Sequence, residues 1–201
     1  MPDMKNMYYL FSLTNVTLFP RTTKPLNIFE PRYLRMVKES IHQGIPIAIC
    51  FVPEEDTYVR PYAGFAIPQI IEHRPDGTML IFMSGQGKVK LNMDQVIMQE
   101  DLRLAEGQIM TEDLVLNEKL KSKYMALSEA LIRWIRQHIP EAHQREAFIR
   151  GLVGPQEVIG AFAAYLILDH DLQYEMMEIL SLNDQILYLY RLLESGKLTN
   201  I

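Results

Sequence analysis

Few residues in this chain have the types and spacing that chemistry requires. The densest group is Asp169-His170-Asp171, where two carboxylates and an imidazole could hold a divalent metal for hydrolysis. The triplet lies where one apolar helical pattern ends and another begins, a place where aspartates also serve as caps, with Asp171 expected to cap the following helix. His138 and His143 flank Pro140, which interrupts a helix, so they do not share a face as two zinc ligands would. Cys50, the only cysteine, sits within Ile-Ala-Ile-Cys-Phe-Val. A nucleophilic thiol needs exposure and a positive neighbourhood, so this one is expected to be buried and inert. A lone cysteine also excludes an internal disulfide framework and any multi-cysteine metal site.

Phosphate chemistry fares no better. Gly85-Gln86-Gly87-Lys88 is the one glycine-rich candidate. A phosphate loop needs a glycine five positions before Gly87, where Phe82 stands, and a hydroxyl residue after the lysine, where Val89 stands. It reads instead as a hairpin turn. There is no Gly-x-Ser-x-Gly nucleophile elbow. Lys119, Lys121 and Lys123, with Lys88 and Lys90, could form a nucleic-acid patch. Alternate residues on a helix do not face one way, however, so solvated surface is the better reading. The net charge of −5 argues the same way, since affinity for a polyanion comes from clustered Lys and Arg.

The 201 residues, 48% of them hydrophobic, suffice for one large or two small cores. No apolar run approaches the ~20 residues that span a bilayer. The N-terminal stretch lacks a small-residue cleavage site, so it does not read as a signal peptide. A soluble, cytoplasmic protein is expected, with no membrane partner.

The element that positions the rest runs from Leu18 to Tyr33. Pro20 and Pro25 bracket a polar turn, each fixing its own φ and extending the residue before it. Leu26 and Ile28 alternate with Asn27 as in a short half-buried strand. At Pro31 the period changes, because proline suits a first helical position. Leu34, Val37 and Ile41 recur at helical spacing until Gly44. Strands are predicted at Tyr8–Leu13, Val16–Phe19, Ile45–Val52, Tyr62–Glu72, Thr78–Met83, Lys88–Leu91, Gln95–Met98 and Arg103–Met110, with one wet face on Lys88–Leu91 and an Asp76-Gly77 hairpin between the fifth and its predecessor. Many short strands around one inserted helix suggest a small pseudo-barrel.

Composition changes near Glu112. Leu116, Leu120, Tyr124, Leu127, Leu131 and Trp134 trace one stripe of a long helix ending at Ile139. Helices follow over Glu141–Arg150, from Gly154-Pro155, after Asp171, and from Ser181, where Asp184 completes a capping box. The expected architecture is α+β, a β-barrel subdomain over 1–112 and a helical bundle over 113–201, joined by a short linker and packed together.

Phe19-Pro20, Pro25-Leu26, Ile28-Phe29-Glu30 and Arg32-Tyr33, in that order, resemble the signature of the Lon N-terminal domain family, the substrate-binding domain of ATP-dependent Lon proteases, which also occurs alone. The family often opens with Pro-Leu-Phe-Pro-Leu, where this chain has Tyr9-Leu10-Phe11-Ser12-Leu13; the apolar positions survive and the prolines do not. The resemblance implies a PUA-like β-barrel followed by a C-terminal helical bundle, and a non-catalytic module that binds exposed apolar segments. Its expected partners are unfolded or damaged protein segments, with a separate protease as a further candidate; no cofactor is expected. The ATPase and Ser-Lys protease domains would follow this region, and the chain is expected to carry neither.

The resemblance makes Phe19, Phe29 and Tyr33 the candidate peptide-binding aromatics, in an apolar groove between barrel and bundle. Glu30 and Arg32 are expected to be structural. Two apart, they should not face each other. Glu30 would accept backbone N–H bonds at the helix start and Arg32 would hold a partner on the barrel, each loss costing on the order of 1–3 kcal/mol. Two other readings remain open: a small metal-dependent hydrolase using Asp169, His170 and Asp171, and an RNA-binding PUA-like protein.

Overall fold

A computed structural model describes residues 6–54, 58–196 and 198. The chain forms two compact units, Met1–Met110 and Thr111–Ile201. The first contains β1 (Met7–Thr14), β2 (Thr23–Ile28), α1 (Pro31–Gln43), β3 (Ile47–Val52), β4 (Tyr62–Ala66), β5 (Gln69–His73), β6 (Met79–Ser84), β7 (Gly87–Leu91), β8 (Ile97–Gln99) and β9 (Leu102–Met110).

Five strands close on themselves. The order is β1-β3-β4-β7-β9, with β9 pairing back onto β1, and β8 is added along β9. Only the β1–β3 pairing is parallel. So small a barrel leaves room for small interior side chains. Ala48, Cys50, Ala63 and Ala105 accordingly join Tyr8, Leu10, Val89 and Leu91 in one buried cluster. The opposite face of the same strands is buried too: Tyr9, Phe11, Ile47 and Ile49 pack with Met36 and Val37 of α1 and with Ile28, Met79 and Ile81. Those last three belong to a separate three-stranded sheet, β2-β6-β5. Burial on both faces explains the unbroken apolar run of β3.

α1 begins at Pro31 and ends at Gly44, whose φ of 69° is the left-handed conformation that favours glycine at a helix C-terminus. The Asp76-Gly77 hairpin joins β5 to β6, with Asp76 Oδ1 accepting from the Thr78 N–H at 3.0 Å.

Three expected features of this unit differ. Val16–Phe19 is not a strand but a buried crossing segment. Its carbonyls press on glycines: a Cβ on Gly64 would lie 1.7 Å from the Leu18 oxygen, and one on Gly85 2.2 Å from that of Phe19. The run Tyr62–Glu72 is two strands, since Pro68 separates β4 in the barrel from β5 in the other sheet. Gly85-Gln86-Gly87 is likewise not a hairpin turn. It carries the chain from β6 in one sheet to β7 in the other, and Gly85 exchanges backbone hydrogen bonds of 2.9 Å with Arg21 and Thr22. Lys88 then turns inward, 2% exposed, while Lys90 stays in water, so the wet face expected for this strand is only half wet.

The edges of the three-stranded sheet are β2 and β5. β2 contains Pro25, and β5 carries a bulge between Ile70 and Glu72.

The second unit has a single 3-10 turn at Glu118–Leu120, then α2 (Lys121–His138), α3 (Ala142–Gly151), α4 (Pro155–Leu166), α5 (His170–Glu178) and α6 (Leu182–Glu194). α2 starts later than its apolar stripe suggests. Asn117 caps the 3-10 turn through the Lys119 N–H, and the segment before it is tied to the start of α6. Asn183 donates to the Val115 carbonyl at 2.9 Å and accepts from the Asn117 N–H at 2.8 Å. Leu127, Leu131 and Ile135 of α2 are buried with Phe162 of α4 and Ile186 and Leu189 of α6. Ser181 Oγ accepts from the Asp184 N–H, as the capping pattern requires. Among the described residues no helix is long and apolar enough to cross a membrane.

The crossing segment sets a test. Gly64→Ala should lower stability by about 3 kcal/mol, the upper range for overpacking, because a backbone carbonyl cannot move aside as a side chain can. Gly151→Ala meets nothing within 4 Å and should be neutral or stabilising. Urea denaturation of the two variants checks both; equal midpoints would refute the crossing.

Candidate functional site

The motif residues meet at the start of α1. Glu30 is the N-cap, with extended backbone (φ −75°, ψ 132°), and its side chain makes no capping bond. It points instead to Arg32, whose Nε donates to Glu30 Oε2 at 3.0 Å. The expectation that these two charges do not face each other is therefore corrected. The spacing rule holds inside a helix, and Glu30 stands outside it. Both side chains are nearly half exposed, so the pair is a surface ion pair with little effect on stability. The Arg32 guanidinium also lies 4.4 Å from the Tyr33 ring centre, and Tyr33 packs on Phe11 with ring centres 4.4 Å apart.

The aromatics part company. Phe29 is 68% exposed, Tyr33 is half-buried, and Phe19 is a core residue at 3%. Phe19 reaches no surface ligand in this conformation, leaving Phe29 and Tyr33 as the motif's displayed aromatics.

Beside Tyr33 lies a pocket of about 240 Å³. Its origin is a split in the barrel. The β1–β9 pairing runs from Met7↔Glu106 to Tyr9↔Leu104 and then stops, so Leu10–Ser12 and Asp101–Arg103 diverge. Leu10, Met36 and Leu102 are the buried apolar lining, Ser12 and Tyr33 are half-buried, and Arg32, Asp101 and Arg103 are exposed at the rim. Asp101 is engaged already, since Arg35 of α1 bonds both Asp101 and Glu100 and lies 3.3 Å from Glu39. Arg32 and Arg103 both act on Tyr33: burial raises the phenol's pKa, and the two guanidiniums draw it back. Sequence patterning points to Arg32 and Tyr33 but misses Arg103 and Ser12. Each stands at an ordinary exposed-looking position in a strand, and nothing local marks it.

The other candidates have local explanations. Cys50 is wholly buried and its thiol is pushed up to about 12 by desolvation, as an inert core cysteine should be. Asp169, not Asp171, caps α5, its Oδ1 accepting from the N–H groups of Asp171 and Leu172 at 3.0 and 3.1 Å. Among the described residues no three His, Cys, Asp or Glu side chains converge as metal ligands would. His138 stacks on Trp134 with ring centres 4.6 Å apart, and its Nδ1 lies 2.9 Å from the Trp134 carbonyl. Lys123 sits 3.8 Å from the Tyr190 ring centre and Lys90 5.5 Å from that of Tyr62.

Two further surfaces carry apolar groups. In the helical unit, Trp134 and Tyr165 stack and Phe148 meets Tyr165 edge-on, while Val153 and Leu168 are exposed. In the barrel unit, an open hollow of about 700 Å³ includes Tyr58, Lys90, Met93 and Ile109.

Two expectations test these assignments. Asp169→Ala should cost about 1 kcal/mol, the value of a lost N-cap, and Asp171→Asn only a few tenths; equal losses in thermal denaturation would contradict the cap. Cys50 should resist iodoacetamide in the native protein at neutral pH and react in full after denaturation, as mass spectrometry would report.

Known proteins resemble this chain in sequence pattern and in fold. The family model described as "ATP-dependent protease La (LON) substrate-binding domain" matches residues 7–195. Among solved structures, a Lon N-terminal domain protein from Xanthomonas campestris superposes with a TM-score of 0.68 at 17% identity, covering 92% of this chain and 97% of that one. The N-terminal domain of Mycobacterium avium complex Lon protease gives 0.68 at 11% identity, covering 92% and 96%. No curated protein matches the chain.

Proposed function

Because this chain belongs to the ATP-dependent protease La (Lon) substrate-binding domain family, we propose that it is a non-catalytic protein-binding module that holds exposed apolar segments of unfolded proteins. In this reading the strands and α1 are the family's PUA-like barrel and α2–α6 its helical bundle, and a separate protease is a candidate recipient of the bound chain. The observation that carries the reading is Phe29. A phenylalanine 68% exposed beside the start of α1 has no packing role that explains it, and a large displayed aromatic is what an apolar segment would grip. Tyr33, held by Phe11 and Arg32, offers a rigid neighbouring ring.

The rival readings have less support. The Asp169 carboxylate that a hydrolase would need is occupied with two backbone N–H groups. Lys90 and Lys123 each lie over a tyrosine ring within their own unit, and a net charge of −5 does not favour a polyanion.

Binding to a reduced, permanently unfolded model protein tests the proposal. Phe29→Ser should keep the wild-type melting temperature and weaken binding about tenfold, the loss expected for one aromatic anchor. Glu30→Ala should change stability by less than about 1 kcal/mol. No measurable binding by the wild type, or full binding by Phe29→Ser, would count against it.

A further inference from the structure

Resting on the protein-binding reading, we infer that the pocket between β1, α1 and β9 takes the free C-terminal carboxylate of a bound chain together with its apolar last side chain. Two features of the pocket select that ligand. Its floor is apolar, formed by the buried Leu10, Met36 and Leu102 beneath polar walls, and about 240 Å³ is room for one or two residues. Its rim is cationic. Arg103 makes no ion pair or side-chain hydrogen bond among the described residues, and Arg32 is tied to the exposed Glu30 at 3.0 Å and to Tyr33 through its ring and a side-chain hydrogen bond. The rim's own carboxylate, Asp101, is committed to Arg35. A planar guanidinium fork matches a carboxylate in bidentate geometry, and the half-buried Ser12 and Tyr33 hydroxyls can donate to the same anion.

Chemistry excludes the nearest alternatives. A phosphate or nucleotide would leave the apolar floor unused, and an internal chain segment without an acidic side chain would leave the two guanidiniums without an anion. Beyond Tyr9 the edge of β1 is no longer paired with β9, so a chain terminus entering the split meets extended backbone as well as charge. A surface ion pair such as Glu30–Arg32 is worth little, so Arg32 can exchange Glu30 for the incoming carboxylate at small cost.

The probe is a short fluorescent peptide ending in leucine, made as the free acid and as the C-terminal amide, with fluorescence anisotropy as the readout. The acid should bind about tenfold or more tightly than the amide, as expected for a hydrogen bond to a charged group. Arg103→Gln should erase that preference with an unchanged melting temperature, and Glu30→Gln should enlarge it by releasing Arg32. Equal binding of acid and amide, or a preference that survives Arg103→Gln, overturns the inference. If the unfolded model protein still binds in that case, the general protein-binding reading stands without it. If neither peptide nor unfolded protein binds, both fall together.

Discussion

The backbone of Leu18 and Phe19 crosses the barrel with its carbonyls pressed into spaces where Gly64 and Gly85 have no side chains. Both layers of the barrel unit depend on this close approach. It brings the chain to β2 and so seats the three-stranded sheet against the outer face of the barrel strands. That sheet, with α1, covers Tyr9, Phe11, Ile47 and Ile49, which would otherwise be an exposed apolar wall. A side chain at Gly64 would push the crossing outward and loosen both layers at once, because interiors are packed too tightly to absorb an added group.

The same segment shows how far local patterning reaches. Proline and glycine punctuation locates α1 to the residue, since φ at Pro31 and at Gly44 is decided by chemistry within one residue. The strands are legible as apolar runs, but which sheet each joins is not. Pro68 and Gly85 look like turn residues in either case, and only the tertiary arrangement tells a hairpin from a crossover. Lys88 misleads for a related reason: alternation marks two faces of a strand without saying that both are covered. The pocket is half visible. Arg32 and Tyr33 belong to a recognisable motif, whereas Arg103 and Ser12 come from strands whose divergence depends on where β1 and β9 stop pairing.

Charge in this protein is arranged locally. The total of −5 says little about the pocket, where Arg32 and Arg103 stand at the rim above an apolar floor. Arg35 neutralises the acidic β8–β9 turn by gripping Glu100 and Asp101. That grip ties the start of β9 to α1, while Arg103 at the mouth makes no ion pair among the described residues.

The borders of the three-stranded sheet have a consequence of their own. Any strand at a border is a template onto which another extended chain can zip, and repeated zipping leads to fibres. β2 carries Pro25, which lacks an N–H, and β5 is kinked by its bulge and ends in Glu72 and His73, with Arg74 just beyond. Both borders are thereby blunted. Under the proposed function, a module that meets sticky, half-unfolded chains runs a constant hazard of being recruited into their deposits. At these two borders two small irregularities in the backbone reduce that hazard.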